Sequence, residues 1–433
     1  MKRYRPTTAM AVVVANMIGT GVFTSLGFQL LDIQSGFPLM MLWAVGGLTA
    51  LCGALTYAEL GAALPRSGGE YNFLTEIYHP AAGFISGSIS ATIGFAAPTA
   101  LAAITFGRYL ASVFPALDPT VSSCLLVIAL SVVHATTHRN SGELQTAFTV
   151  LKVVVIVVFC GLALWLVEER QPLVFLPEDG DGSMLVSGAF AVSLIYVNYA
   201  YTGWNAATYL TNEIESPHRY LPVVLIGGTL AVLVLYLMLN YTFLSVAPMD
   251  AMAGKVEIGH IAATFAFGEW GGNAMGVVLA ALLVSTVSAM IMAGPRVLQV
   301  IGEDFPPFRS LSRTNADGIP MVAIGVQSVL TLIMIVSSTF DVILIFSGFT
   351  LALNSLAAVA GIYVLRFREP GRARPYRTFG YPVTPAIYLA LTLWTLTYLA
   401  MDRPTEAIAS AVLITTGGLF YVAVRYIGRP EAL

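Results

Sequence analysis

Long apolar stretches separated by short polar breaks follow one another along the whole chain. A helix needs about 20 residues to cross the hydrocarbon core of a bilayer, and nothing here shows the ten-residue alternation of a membrane β-barrel. The apolar stretches lie at residues 8–32, 38–64, 82–114, 120–138, 143–167, 184–211, 221–247, 272–301, 319–339, 341–366, 382–400 and 405–427. The pattern predicts an all-α polytopic membrane protein with twelve transmembrane helices. Between spans seven and eight, residues 251–268 predict a short outer helix that does not cross.

The composition narrows the class of protein further. Of the 433 residues, 57% are hydrophobic and 10% are charged, whereas a soluble domain has about 25% charged residues. The net charge of −3 gives no basic surface for nucleic acid. Cys52, Cys124 and Cys160 lie in apolar runs without metal-ligand spacing, which argues against a disulfide framework or a zinc site. We therefore expect a lipid bilayer as the environment, and no cofactor, metal or nucleic-acid partner.

The distribution of lysine and arginine over the loops predicts the orientation, because cytoplasmic loops carry an excess of both. A cytoplasmic N-terminus places sixteen of these residues inside and four outside. The inner set is Lys2, Arg3, Arg5, Arg66, Arg139, Arg219, Arg296, Arg309, Arg313, Arg366, Arg368, Arg372, Arg374, Arg377, Arg425 and Arg429, and the outer set is Arg108, Arg170, Lys255 and Arg403. We predict a multi-pass protein of the cell inner membrane with both termini cytoplasmic. The first span is too long for the apolar core of a cleaved signal and is expected to be retained.

Two spans contain sequences that favour a broken helix. Span one carries Gly19 and Gly21 beside a hydroxyl residue, and span six carries Gly203 among polar and aromatic residues. Close helix packing is the alternative explanation for such glycines. The breaks fall in the first and sixth spans, as expected if spans 1–5 and 6–10 are inverted copies around a midplane site. A broken helix offers free N–H groups and a positive dipole end, so we predict a substrate that carries a carboxylate.

Several motifs occur in an order that resembles the amino acid–polyamine–organocation (APC) permeases. They lie at residues 18–23, 54–61, 65–71, 200–205, 213–222, 318–320 and 374–382. Within that superfamily, the sequence Gly203-Trp204-Asn205 most resembles the L-type amino acid exchangers and their bacterial relatives. The resemblance implies a five-plus-five inverted-repeat fold with two extra C-terminal helices. The expected divisions are residues 1–170 for the first repeat, 171–380 for the second, and 381–433 for the peripheral spans 11 and 12.

The resemblance also implies a substrate site lined by spans 1, 3, 6 and 8. The backbone of Gly19, Thr20 and Gly21 would hold the substrate carboxylate. Backbone carbonyls near Tyr199 and Ala200 would hold the α-ammonium, and the Tyr199 ring would act as a lid. The site residues expected from the motifs are Ile18, Gly19, Thr20, Gly21, Tyr199, Ala200, Tyr201, Gly203 and Asn205. Ser285 and Ser288 are further candidates only because they are polar and lie in mid-span.

The charges near the breaks bear on selectivity. A cationic substrate calls for an acidic partner, since an unpaired buried charge is unfavourable, and neither interrupted region contains Asp or Glu. In arginine/agmatine antiporters of the superfamily, the position that matches Asn205 carries an acid. We therefore expect a small neutral L-amino acid. The alternative is a cationic amino acid or polyamine antiporter, which an acid projecting from span three or eight would support. The motifs of intramembrane enzymes and the charge rings of channels are absent.

Lys152 is the only lysine or arginine deep within a span, and ionisable residues at membrane depth are functional by default. Sodium-independent members of the superfamily place a lysine here, so we expect sodium-independent exchange, or proton symport with Lys152 as the titrating group. Glu59 and Glu213 are expected to pair with arginines such as Arg66 or Arg219. The loop of residues 114–120 lacks the cysteine through which eukaryotic relatives attach a glycoprotein. We therefore expect no covalent heavy chain and a chain that works alone, as a monomer.

Overall fold

The computed structural model describes residues 4–136, 141–315 and 318–427. Its α-helices are α1 Pro6–Met17, α2 Gly21–Gln29, α3 Gly36–Ala63, α4 Glu70–Ile77, α5 Pro80–Ile89, α6 Ala96–Val113, α7 Pro119–Thr136, α8 Ser141–Leu166, α9 Asp181–Leu185, α10 Gly188–Tyr201, α11 Pro217–Val246, α12 Met249–Met252, α13 Ile258–Asp304, α14 Met321–Ser337, α15 Phe340–Arg368, α16 Val383–Asp402 and α17 Pro404–Ile427. A π-helix spans Ser90–Gly94, and 3₁₀ helices span Ala206–Glu213 and Pro306–Phe308. Within these ranges the only β-structure is an isolated bridge between Tyr4 and Ile214.

Ten segments of the described chain are long and apolar enough to cross a membrane, and α14 is a shorter apolar helix of 17 residues. This confirms an all-α chain of the polytopic membrane class, while the number twelve and the internal repeat stay predictions. The predicted helix at 251–268 corresponds to α12 and to the first part of α13, whose backbone leaves the helical region at Gly268 (φ 75°). Lys2, Arg3, Arg139 and Arg429, which entered the orientation argument, lie outside the described residues.

Burial separates central helices from peripheral ones. The segment Pro6–Gln29 is 72% buried within the protein, whereas Pro119–Thr136 is 11% buried. On α7 the side chains of Leu125 and Val132 are exposed although they are apolar. Apolar side chains on such a surface are compatible with lipid rather than water. The central helices therefore carry the site, and α7 and α17 belong to the periphery.

Both predicted interruptions are present. Helix α1 ends where Ile18 leaves the helical region (ψ 80°), and the chain re-enters a helix at Gly21. Helix α10 ends at Thr202 (ψ 138°), and Gly203 follows with φ 107°. We call residues 18–20 the first break and residues 202–205 the second break. The second break lies slightly later than the sequence indicates, because Tyr199 to Tyr201 still belong to α10.

Candidate functional site

The two helix segments around the breaks pack directly against each other. A Cβ atom on Gly21 would lie 2.4 Å from the Cα of Ala200, and one on Gly203 would lie 2.8 Å from the carbonyl carbon of Asn16. The φ of Gly203 is also unfavourable for any residue with a side chain. The sequence analysis treated close helix packing and a broken helix as alternative explanations for the glycines. At Gly21 and Gly203 the two occur together.

The first break leaves backbone donors free at the start of α2. Helix α2 has no capping side chain, and among the described residues the N–H groups of Thr20, Gly21 and Val22 have no hydrogen-bond acceptor. Unpaired donors at a helix N-terminus favour an anion, and the helix dipole adds to this preference. The backbone here can therefore hold a carboxylate without a basic side chain.

The carbonyl groups at the ends of α1 and α10 accept hydrogen bonds from the same tyrosine hydroxyl. The hydroxyl of Tyr236, on α11, lies within hydrogen-bonding distance of the carbonyl oxygens of Met17 and Ala200, the second at 3.0 Å. The Tyr199 carbonyl accepts the N–H of Thr202 at 2.9 Å. The carbonyls of Tyr199 and Ala200, predicted to hold an ammonium, thus already have one donor each. A carbonyl oxygen has a second lone pair, so each retains room for one more donor.

Lys152 lies behind the first break. Its Nζ donates to the carbonyl of Ile18 at 3.3 Å and to the hydroxyl of Thr286, on α13, at 2.7 Å. The side chain is 2% exposed, and the ion pairs of the described ranges do not include it. The ammonium therefore faces the carbonyl end of α1, where the helix dipole favours positive charge.

A buried carboxylate lies at the second break. Glu70, the first residue of α4, is 2% exposed. Its Oε1 accepts from the Asn205 amide at 2.5 Å and from the Tyr57 hydroxyl at 3.0 Å, and its Oε2 accepts from the Tyr209 hydroxyl. Every one of these donors is neutral. The expectation that no acid approaches the site from spans three or eight does not cover this residue, because Glu70 lies on the short helix before span three.

The breaks line one cavity of about 310 Å³. Of the residues predicted from the sequence, the cavity is lined by Gly19, Thr20, Gly21, Tyr199, Ala200, Tyr201, Gly203 and Asn205. Ile18 is buried beside it and contributes its carbonyl to Lys152. Ser285 and Ser288 are not among the lining residues, whereas Thr286 is. Ser288 instead lies 2.8 Å from Nε2 of His134 on α7, and Ser285 is buried.

The cavity differs at its two ends. It extends to Tyr4, Ser67 and Arg296 on the face of the protein that carries the N-terminal segment, which we call the N-terminal face. Toward the opposite face it is closed. There the Phe28 ring stacks between Tyr196 and Phe340, with centroid distances of 5.5 and 5.6 Å.

Polar pairs stand at both ends. On the closed side, Asp341 accepts from the Tyr196 hydroxyl at 2.5 Å and pairs with Arg403 at 3.4 Å. On the N-terminal face, Asp304 accepts from the Tyr71 hydroxyl and pairs with Arg66 at 3.8 Å. Burial, and then the Asp304 carboxylate, raise the pKa of Tyr71, which keeps its hydroxyl a donor.

Two carboxylates pair with arginines, as expected, but with other arginines than those named from the sequence. Glu59 pairs with Arg366 at 2.6 Å and with Arg374 at 3.4 Å, and Glu213 pairs with Arg296 at 3.3 Å. Arg66 and Arg219 were the expected partners of both. A buried carboxylate such as Glu59 requires hydrogen bonds for both oxygens, and the fork of Arg366 satisfies this with two bonds of 2.9 and 2.6 Å.

Three residues of the site were not singled out from the sequence. Glu70 stands in the motif of residues 65–71, but only the fold brings it to Asn205. Thr286 is adjacent to the candidate Ser285. Tyr236 could have been identified from the sequence, because it lies in the middle of an apolar span. A buried tyrosine hydroxyl usually has a hydrogen-bond partner.

Comparison with known proteins supports the family resemblance. The family model described as "Amino acid permease" matches residues 6–427. The chain is 27% identical over 418 residues to the serine/threonine exchanger SteT of Bacillus subtilis, covering 95% of this chain and 94% of that protein. It is 23% identical over 434 residues to the mouse b(0,+)-type amino acid transporter 1, covering 97% and 87% of the two chains.

A third similar protein is the human large neutral amino acids transporter small subunit 2. It is 26% identical over 448 residues, covering 98% of this chain and 81% of that protein. These relatives are transporters and exchangers, not enzymes. The matches extend over nearly all of both chains, so they concern the whole arrangement of helices and not an isolated motif.

Proposed function

Because this chain belongs to the amino acid permease family of the APC superfamily, we propose that it is a secondary active transporter of small neutral L-amino acids across the cytoplasmic membrane. Transport proceeds by sodium-independent exchange or proton symport. The two breaks form the binding site, and the surrounding helices give it access to one side of the membrane at a time. Twelve spans, arranged as two inverted repeats and two peripheral helices, form the scaffold.

One observation carries this proposal: the two breaks face each other across a single cavity. The free N–H groups of Thr20 and Gly21 bind the substrate carboxylate. The carbonyl end of α10, at Tyr199 and Ala200, binds its ammonium, since helix C-termini favour positive charge. The Tyr199 ring lies on the closed side, where its hydroxyl interacts with Thr20, and it acts as the lid. A zwitterion thus finds both of its charges matched by backbone.

Lys152 supports independence from sodium. Its ammonium already supplies a positive charge at the carbonyl of Ile18 and connects that break to α13. A metal cation at the same carbonyl would be repelled by this charge. The Bacillus relative is named a serine/threonine exchanger, which is compatible with the exchange mode.

The excess of lysine and arginine on the N-terminal face assigns that face to the cytoplasm. The cavity reaches the surface on this face, so the structure corresponds to an inward-open state. The aromatic stack of Phe28, Tyr196 and Phe340 is then the outer closure. The chain works as a monomer without a covalently attached subunit.

A cationic amino acid or polyamine substrate is the second candidate, and Glu70 is the observation that favours it. This carboxylate lines the cavity. However, it already accepts three hydrogen bonds from neutral donors and is almost fully buried. We therefore favour the neutral substrate.

Uptake into proteoliposomes tests the proposal. Vesicles containing the purified protein are loaded with unlabelled neutral amino acids, and labelled uptake is followed with and without sodium and with and without a pH gradient. The controls are vesicles that contain the protein but no internal amino acid, and vesicles without protein. Uptake that needs an internal amino acid indicates exchange, and uptake driven by an inward proton gradient indicates symport. A strict sodium requirement, or transport of cationic amino acids alone, would contradict the proposal.

A further inference from the structure

We propose that Glu70 is a positioning residue that fixes the orientation of the Asn205 amide and thereby restricts the cavity to substrates with neutral side chains. This inference rests on the proposed function as an amino acid transporter. It concerns a contact between residues 135 positions apart, which no motif of the sequence contains.

The surroundings of Glu70 are unusual for a buried carboxylate. Buried charges are normally paired with an opposite charge, but none of the ion pairs found in the described ranges involves Glu70. Within the described part of the chain, its oxygens accept only from Asn205, Tyr57 and Tyr209. Hydrogen bonds to a charged acceptor are stronger than neutral ones, and these three contacts occupy both oxygens of the carboxylate.

The carboxylate determines which way the Asn205 side chain points. A side-chain amide has a donor end and an acceptor end, and an ionised carboxylate can only accept. The Asn205 nitrogen is therefore held toward Glu70, at 2.5 Å. The amide nitrogen has a second N–H, and the Asn205 side chain also hydrogen-bonds Tyr209. With both neighbours on the nitrogen end, the carbonyl oxygen remains as an acceptor on a residue that lines the cavity. The second break thus offers an oriented acceptor that bears no charge.

The same contact prevents an acid at position 205. A carboxylate there would replace the donor by a second acceptor, and two carboxylates at this distance share a proton instead of both ionising. Position 205 therefore gains a negative charge only when Glu70 loses its own. The remaining groups that face Glu70 are Tyr57 on α3, Tyr209 in the 3₁₀ helix and Tyr388 on α16. The cavity-lining Arg296 pairs with Glu213.

Three variants and one control test this inference. They are E70Q, N205D and the double variant E70Q/N205D, with E76Q as the control because Glu76 is an exposed residue of the same helix α4. Uptake of one labelled neutral and one labelled cationic amino acid is measured in proteoliposomes across a pH series, with KM and kcat determined separately. Thermal unfolding in detergent shows which variants are folded.

We expect E70Q to raise KM for the neutral substrate about tenfold with kcat nearly unchanged, because the amide loses a charge-assisted hydrogen bond. N205D alone should transport the neutral substrate only at low pH, where one of the two carboxylates is protonated. The double variant should take up the cationic substrate and show no such pH dependence. E76Q should leave KM and the neutral-to-cationic ratio unchanged.

Equal KM in E70Q and the wild type would overturn the inference. So would N205D transporting the cationic substrate as well as the double variant at every pH. If N205D does not fold, the comparison of E70Q with E76Q still tests the inference, because both variants retain Asn205. Failure of the proposed function is distinguishable, since the wild-type protein would then transport neither amino acid, or the cationic one alone.

Discussion

The two breaks are held by opposite charges. Behind the first break, the ammonium of Lys152 contacts the carbonyl end of α1, whereas the carboxylate of Glu70 contacts Asn205, the residue that precedes the 3₁₀ helix Ala206–Glu213. A cation at a helix C-terminus and an anion near a helix N-terminus both complement the helix dipole. Each charge thus stabilises the end of a helical segment that the break leaves open.

The two breaks differ in the hydrogen-bonding groups that remain available to a ligand. At the first break, Lys152 donates to the carbonyl oxygen of Ile18, and the N–H donors of this break stay free. At the second break, Glu70 takes an amide donor and leaves an acceptor. A ligand with a carboxylate at one end and donor hydrogens at the other complements this pair of breaks, and that description fits an amino acid zwitterion.

The largest effect is expected where the breaks touch. Gly21→Ala would place a methyl group 2.4 Å from the backbone of Ala200, and overpacking of a core costs about 1–3 kcal/mol. Uptake should become undetectable and the thermal unfolding midpoint should fall. Gly325→Ala is the matched control, since no atom lies within 4 Å of its Cβ position. If the two variants transport equally well, the breaks do not depend on close contact.

The second largest effect is expected for Lys152→Ala. The substitution leaves the carbonyl of Ile18 and the hydroxyl of Thr286 without their charged donor, and hydrogen bonds to charged groups are worth about 1.5–3 kcal/mol. Exchange should fall about a hundredfold, with and without sodium. Lys255→Ala removes an exposed lysine and should change nothing. Unchanged exchange in Lys152→Ala would remove this residue from the coupling mechanism.

The sequence predicted the breaks well because they depend on local chemistry. Glycine beside polar residues within an apolar span is visible at Gly19, Gly21 and Gly203, and the structure interrupts the helices within a few residues of them. The partners of charged residues were predicted poorly. Glu59 meets Arg366, which is 307 positions away, and sequence distance carries no information about such a contact.

The candidates on α13 illustrate a different difficulty. Adjacent residues on a helix point about 100° apart, so a choice between Ser285 and Thr286 depends on the rotation of the helix about its axis. A span that is apolar on most sides does not fix this rotation. The structure directs Thr286 to the cavity and Ser288 to His134.

Tyr236→Phe tests whether the two breaks are connected through α11. The hydroxyl reaches the carbonyls of Met17 and Ala200, and an unsatisfied buried acceptor costs about 1–3 kcal/mol. Uptake should fall about tenfold while the ring packing is kept. Tyr241→Phe, on the same helix with its ring against Phe175, is the control. Equal uptake by the two variants would show that the breaks are held independently of Tyr236.

The smallest effect is expected at the exposed end of the second break. Arg296 and Glu213 form an ion pair whose side chains are 50% and 30% exposed, and exposed pairs contribute about 0.2–1 kcal/mol. Uptake by Arg296→Gln should fall at most about fivefold. The coupling energy in a double-mutant cycle with Glu213→Gln should shrink as salt is added, because ions screen exposed charges. Lys152 is buried, so its effect should not depend on salt. A salt-independent loss in Arg296→Gln as large as that in Lys152→Ala would remove the distinction between a buried charge that shapes a break and a surface pair beside the cavity entrance.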